Sequence, residues 1–199
     1  YLKTTGSAVY AARLDHDPTW FMSAAQEQNL LQYSEIINDS YWSALRSTIS
    51  ANATTAPDGT LTAEEITEDG TSSASHLVRD ASASVNVTEG SQYTFSFYVK
   101  RGTGSRNVRL SFRSTNSAFA ASAVQFDFDT GAATNAGCDD FAVEDAGNGW
   151  FRLSAVETAT ATALASVQLN MLDGTLTSYD GDSSSSLFIW GAQVEVGSK

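Results

Sequence analysis

Ser186-Leu-Phe-Ile-Trp-Gly-Ala-Gln-Val-Glu195 is the stretch on which the fold turns. Leu187, Phe188, Ile189 and Trp190 are apolar in succession, so a strand here must be covered on both faces. That places it inside a layered sheet and not at an edge. The polar run before it, Tyr179-Asp-Gly-Asp-Ser-Ser-Ser-Ser186, reads as a turn. Upstream, Ser91–Lys100 alternates, with Tyr93, Phe95, Phe97 and Val99 on one face and Thr94, Ser96, Tyr98 and Lys100 on the other. Asn107–Arg113 repeats the pattern with Val108, Leu110 and Phe112 inward, and Ala123–Phe128 with Val124, Phe126 and Phe128. Asp145-Ala-Gly-Asn-Gly149 predicts a hairpin between Asp140–Glu144 and Trp150–Val156, because Asn-Gly accepts the two positive φ angles of a type I′ turn. Ser75–Asp80 reads as a brief strand, Ala163–Leu172 as the penultimate one, and Ala56-Pro-Asp-Gly59 as a turn. Short strands separated by turn signals, with no helical period, predict an all-β fold: a two-sheet antiparallel β-sandwich of jelly-roll topology.

At 199 residues, 42% apolar and 11% aromatic, the chain suits one domain with a substantial core and not a disordered tail. Its formal net charge of −12 would repel nucleic acid and anionic membranes, so neither is an expected partner. No apolar run approaches the roughly 20 residues of a membrane helix, so no membrane insertion is expected. Cys138 is the sole cysteine, which excludes a disulfide framework, a cysteine zinc site and a redox pair. The start at Tyr1, without Met or a signal pattern, reads as a piece of a larger polypeptide. Residues 1–28 read as an extended N-terminal arm or linker, and 29–199 as the sandwich. Within the arm, Tyr10, Trp20 and Phe21 are the expected subunit contacts.

The chain carries neither a nucleophile-elbow sequence nor a Gly-rich phosphate loop, and Asp15-His16-Asp17 lies in the irregular leader as a turn. An enzyme is not expected. Binding has a better basis. Tyr98, Arg109, Arg113, Gln125, Asp127, Arg152, Gln168 and Asn170 all lie out of phase with their strands' apolar positions. On one sheet they would offer fork-like donors, amides and an aromatic ring to sugar hydroxyls. A wet sheet face, or one covered by an acidic neighbouring subunit, is the other reading. Trp42, Trp150 and Trp190 read as core. No cofactor is expected except a structural calcium ion, for which Asp58, Glu64, Asp180, Asp182 and Glu195 are the candidate ligands, without EF-hand spacing.

Several blocks then occur in order over nearly the whole chain: Asn29-Leu-Leu-Gln-Tyr-Ser-Glu35, Trp42, Ala51–Thr60, Tyr93-Thr-Phe-Ser-Phe-Tyr-Val-Lys100, Glu144–Arg152 and Ile189-Trp-Gly-Ala-Gln-Val-Glu195. Together with the leader Ala12-Arg-Leu-Asp-His-Asp-Pro18, this arrangement resembles a recurring domain of bacteriophage tail-fibre and head-spike proteins. That domain is similar in architecture to carbohydrate-binding modules. The leader departs from the family at Trp20-Phe-Met-Ser-Ala-Ala-Gln-Glu27, where an apolar run with Gly is usual. The resemblance implies a non-enzymatic structural protein at the virion surface, outside the cell. Its partners would be other virion subunits in a homo-oligomer, a trimer, and host surface glycans. The alternatives are a carbohydrate-binding module of a secreted polysaccharide-degrading enzyme and a ligand-free capsid decoration or spacer domain.

Overall fold

A computed structural model of the chain describes residues 29–113 and 115–198. The predicted arm, with Tyr10, Trp20 and Phe21, lies outside the described residues. Among the described residues thirteen strands follow one another, beginning with β1 (Trp42–Leu45), β2 (Ser47–Thr54), β3 (Ala63–Glu68), β4 (Leu77–Asp80) and β5 (Val85–Val87). Then come β6 (Gln92–Arg101), β7 (Asn107–Arg113), β8 (Ser122–Phe126) and β9 (Ala133–Ala136). The last four are β10 (Asp140–Gly147), β11 (Trp150–Thr158), β12 (Ala163–Leu172) and β13 (Ser186–Val196). Thr115–Ser117 makes a single 3₁₀ turn.

The strands form two antiparallel sheets, as the alternation predicts. The front sheet runs β1-β4-β12-β7-β8-β9, with β5 paired to β12, and the back sheet runs β10-β11-β6-β13-β3-β2. The chain crosses repeatedly between them, which is the jelly-roll form. Phe95, Phe97 and Val99 of β6 and Leu187, Ile189 and Val194 of β13 face Val108, Leu110, Val124 and Leu169 of the front sheet in one apolar cluster.

The deciding strand lies where its sequence requires, between β6 and β3. Leu187 and Ile189 enter the core, while Phe188 and Trp190 face the other way. There they pack with Ala56, Ala63, Trp150 and Tyr98 in a second, smaller cluster. The indole N–H groups are satisfied: Trp150 donates to the carbonyl of Thr55 at 3.2 Å and Trp190 to Thr62 Oγ1 at 3.1 Å. Trp42 is a core residue, but Trp150 and Trp190 belong to this outer cluster.

The Asn148-Gly149 hairpin closes as predicted, with φ of 55° and 81° and with Gly147 opposite Trp150. β13 carries a bulge between Trp190 and Gln193, formed at Gly191 with φ of 65°. A Cβ there would also come within 3.1 Å of the Tyr98 ring. Gly191→Ala is therefore expected to destabilise the domain by about 1–2 kcal/mol, read by urea denaturation.

Candidate functional site

The sheet registers assign all the predicted binding residues except Asp127 to a face. On the outer face of the front sheet one row runs Ser43, Arg79, Gln168, Ser111, Ala123. The adjacent row runs Leu77, Asn170, Arg109, Gln125, Thr134, and Arg113 lies opposite Ser166. Arg109, Arg113, Gln125, Gln168 and Asn170 thus share one sheet face. Arg79 belongs with them but was missed in the sequence, because β4 is too short to show its alternation.

Three predictions are corrected. Tyr98 and Arg152 pair with each other on the outer face of the back sheet. Tyr98 lies 5.4 Å from Trp190, and Arg152 donates to Ser96 Oγ at 3.1 Å, so neither reaches the front-sheet surface. Asp127 sits just past the end of β8, where its Oδ1 accepts the amide N–H groups of Asp129 and Thr130 in a turn. Asn170 faces the predicted way but is buried, and its Oδ1 accepts a hydrogen bond from Gln168 Nε2 at 2.9 Å.

A groove of about 220 Å³ runs along this face, lined by Arg109, Ser111, Phe112, Arg113, Ala121 and Gln168. Its small lining residues are Ser111 and Ala121, with the long polar side chains of Arg109, Arg113 and Gln168 beside them. Burial lowers the pKa of Arg109. Arg113 is lowered first by burial and then by the charge of Arg79, with Asp80 opposing. Arg113 Nη1 donates to Ser166 Oγ, which in turn donates to Asp80. Asp80 itself is buried, and its oxygens also accept from Ser84 and from the amide of Val167. Along this sheet face Arg79 Nε, Arg109 Nε and Ser111 Oγ are buried without a hydrogen-bond partner. Phe112, the one aromatic in the lining, is buried at 2% exposure.

The predicted calcium ligands do not converge. Asp58 sits in the β2–β3 turn, accepting from Thr60, and Glu195 is opposite Thr94 on β13. Asp180 accepts from the amide of Ser73, and Asp182 from Ser184 and Ser185. Among the described residues, no group of three or more His, Cys, Asp or Glu side chains is placed to hold an ion. The turns explain the outcome: each Asp spends its oxygens on nearby backbone amides.

Glu64 has a different fate. It points inward from β3, is 2% exposed, and leaves Oε2 without a partner beside a cavity of about 430 Å³ that Glu35, Asn38, Asn52 and Thr62 also line. Burial pushes its pKa up from 4.5 to about 7, with the backbone amides of Asn38 and Ile37 opposing the rise. A carboxyl whose folded pKa is raised favours the folded state while protonated. Its contribution is therefore full below about pH 4.5 and is lost as pH rises through about 7. Glu64→Gln is expected to flatten the loss of stability between about pH 5 and 8, measured by urea denaturation across that range. An unchanged pH profile in the variant would refute this role for Glu64.

No family's sequence profile matches the chain, and no curated protein matches it in sequence. Solved structures do match. The CBM22-1 xylan-binding domain of Paenibacillus barcinonensis Xyn10C is similar over 85% of this chain and 94% of its own, at 13% identity and a TM-score of 0.48. The CBM22-1–GH10 modules of Clostridium thermocellum xylanase 10B, complexed with xylohexaose, are similar over 80% of this chain, at 18% identity and a TM-score of 0.46. The enzymatically active domain of tailspike protein 4 from bacteriophage CBA120 is similar over 85%, at 14% identity and a TM-score of 0.50. The chain spans only 26% of the xylanase structure and 21% of the tailspike. Carbohydrate-binding modules predominate among the similar structures. The fold is a two-sheet antiparallel β-sandwich of jelly-roll form.

Proposed function

We propose that this domain binds glycans, without catalysis, through the outer face of its front sheet. The observation that carries the reading is the groove itself. Neighbouring strands β12 and β7 bring Gln168, Ser111, Arg109 and Arg113 together beside Ala121, with Arg79 of β4 in the same row as Gln168. Such side chains pair with vicinal sugar hydroxyls, and the backbone beneath them is held by sheet hydrogen bonds. The setting we propose is a bacteriophage tail fibre or head spike at the virion surface, supported by the ordered sequence blocks at residues 29–60, 93–100, 144–152 and 189–195. A carbohydrate-binding module of a secreted polysaccharide-degrading enzyme would use the same face.

The test is a glycan array probed with the wild-type chain and with Arg109→Ala. Loss of a hydrogen bond from a charged donor is expected to weaken binding about 10–100-fold. The urea midpoint should change little, because no ion pair holds Arg109 among the described residues. A blank array, or a variant that binds as well as wild type, would sink the proposal. For the virion setting, light scattering of the full chain is expected to give a trimer, and of a chain lacking residues 1–28 a monomer. Monomers in both cases would favour the isolated module.

A further inference from the structure

The charge of the groove identifies the kind of glycan. The chain has 23 acidic and 11 basic residues, so its guanidinium groups have ample carboxylates to pair with. Three of the other described arginines do pair, Arg101 with Asp129, Arg152 with Glu144, and Arg106 with Glu68, Asp173 and Asp182, while Arg46 donates to the carbonyl of Ser75. Arg79, Arg109 and Arg113 form no ion pair among the described residues, although all three share one sheet face.

Their arrangement is extended and not clustered at a point. Arg109 and Arg113 flank Ser111 on β7, about 13 Å apart along an extended strand. Arg79 enters from β4 in the row of Gln168 and Ser111. Asp80, whose charge acts on Arg113, is buried behind Ser166 with both oxygens hydrogen-bonded. Asp127, beyond Gln125, is committed to its own turn. Three cations that form no ion pair, with only the charge of buried Asp80 opposing at Arg113, make this face more positive than the rest of a negative molecule. The groove also lacks an exposed aromatic ring, since Tyr98 is on the other sheet and Phe112 is buried. Ring stacking, the usual source of affinity for neutral sugars, is therefore not available in this groove. Affinity must come from charge-assisted hydrogen bonds, which a guanidinium fork makes best with a planar carboxylate or with a sulfate or phosphate.

We infer that the saccharide bound on this face is acidic, with its anionic groups seated among Arg79, Arg109 and Arg113 and its hydroxyls on Ser111 and Gln168. This rests on the glycan reading above. The test uses an immobilised panel in which uronate-, sialate-, sulfate- and phosphate-bearing oligosaccharides are each matched by the same chain methyl-esterified or lacking the acid. The expected result is at least a ten-fold preference for acidic members, falling as NaCl is raised. Arg79→Gln and Arg109→Gln, each checked for folding by near-UV circular dichroism, should each reduce that preference. Which acid binds best distinguishes carboxylate from sulfate or phosphate as the anionic group. Equal binding of matched acidic and neutral members would overturn the acidic assignment while leaving the glycan reading intact. No binding to any member would overturn both. Acidic binding unaffected by either substitution would overturn the seat proposed among these arginines.

Discussion

Arg106→Met is expected to destabilise the domain by about 3–5 kcal/mol, the largest effect foreseen for any single side chain in it. Glu68 points inward from β3 and is 2% exposed. Arg106 Nε and Nη2 grip its two oxygens at 2.9 and 2.7 Å, and the Tyr179 hydroxyl and the Asp182 amide also donate to them. The guanidinium further pairs with Asp173 at 2.9 Å and lies 4.4 Å from the centre of the Tyr179 ring. Removing it leaves a buried carboxylate with no cation, and that uncompensated charge sets the size of the loss. The two neighbouring donors soften it without supplying a charge. Glu68→Gln added to Arg106→Met removes the stranded charge while its amide oxygen still accepts from the Asp182 amide and its NH2 can donate to the Tyr179 hydroxyl. The double variant is thus expected to recover a large part of the loss. Urea unfolding of wild type, both single variants and the double measures this. A single-variant loss below about 1 kcal/mol would show that the pair is not holding this end of the sandwich together.

The second large effect is at Gly181, in the loop before β13. A Cβ built there would lie 1.9 Å from the carbonyl oxygen of Asp69 and 2.7 Å from His76 Nε2. The first atom is backbone, so no rotamer change can relieve the clash. The Asp69–Gly181 approach is itself pinned: the amide of Asp69 donates to Arg46 and that of Gly181 to Thr71. Behind them His76 is fully buried and stacks 4.8 Å from Tyr179, the residue that donates to Glu68. Gly181→Ala is expected to cost about 3 kcal/mol or more, at the upper end for overpacking, because the loop must lift away. Thermal denaturation should show it as a clear fall in Tm. A Tm within a degree or two of wild type would mean that the loop relaxes freely, contrary to the packing described. Because this loop and Arg106 stabilise the same cluster, the two losses should not add.

Much of the architecture was open to reading along the chain. Strands β6, β7 and β8 bury their inward residues in one core and so alternate plainly, while β13, covered on both faces, shows as an unbroken apolar run. The Asn148-Gly149 turn follows from its backbone chemistry alone. Strand β3 escaped notice for a clear reason. Its inward positions are Glu64, Ile66 and Glu68, so two of the three side chains turned toward the core are carboxylates and the apolar alternation disappears. Strands β5 and β9 have three and four residues, and β9 is mostly exposed, so neither carries a measurable period.

The site divides in the same way. Alternation by itself determined that Arg109, Arg113, Gln168 and Tyr98 face away from the core, because successive side chains on a strand point to opposite faces. Only the tertiary structure decided that β6 joins the back sheet while β7 and β12 join the front. That assignment separates Tyr98 and Arg152 from the arginine face and adds Arg79 to it. It also brings Arg106 to Glu68, 38 residues away, and closes the Gly181 loop on Asp69. The physical reason is that periodicity records only whether a side chain faces the core. Which sheet a strand enters, and what then lies beside it, depends on pairing between strands distant in sequence, and no local pattern encodes that.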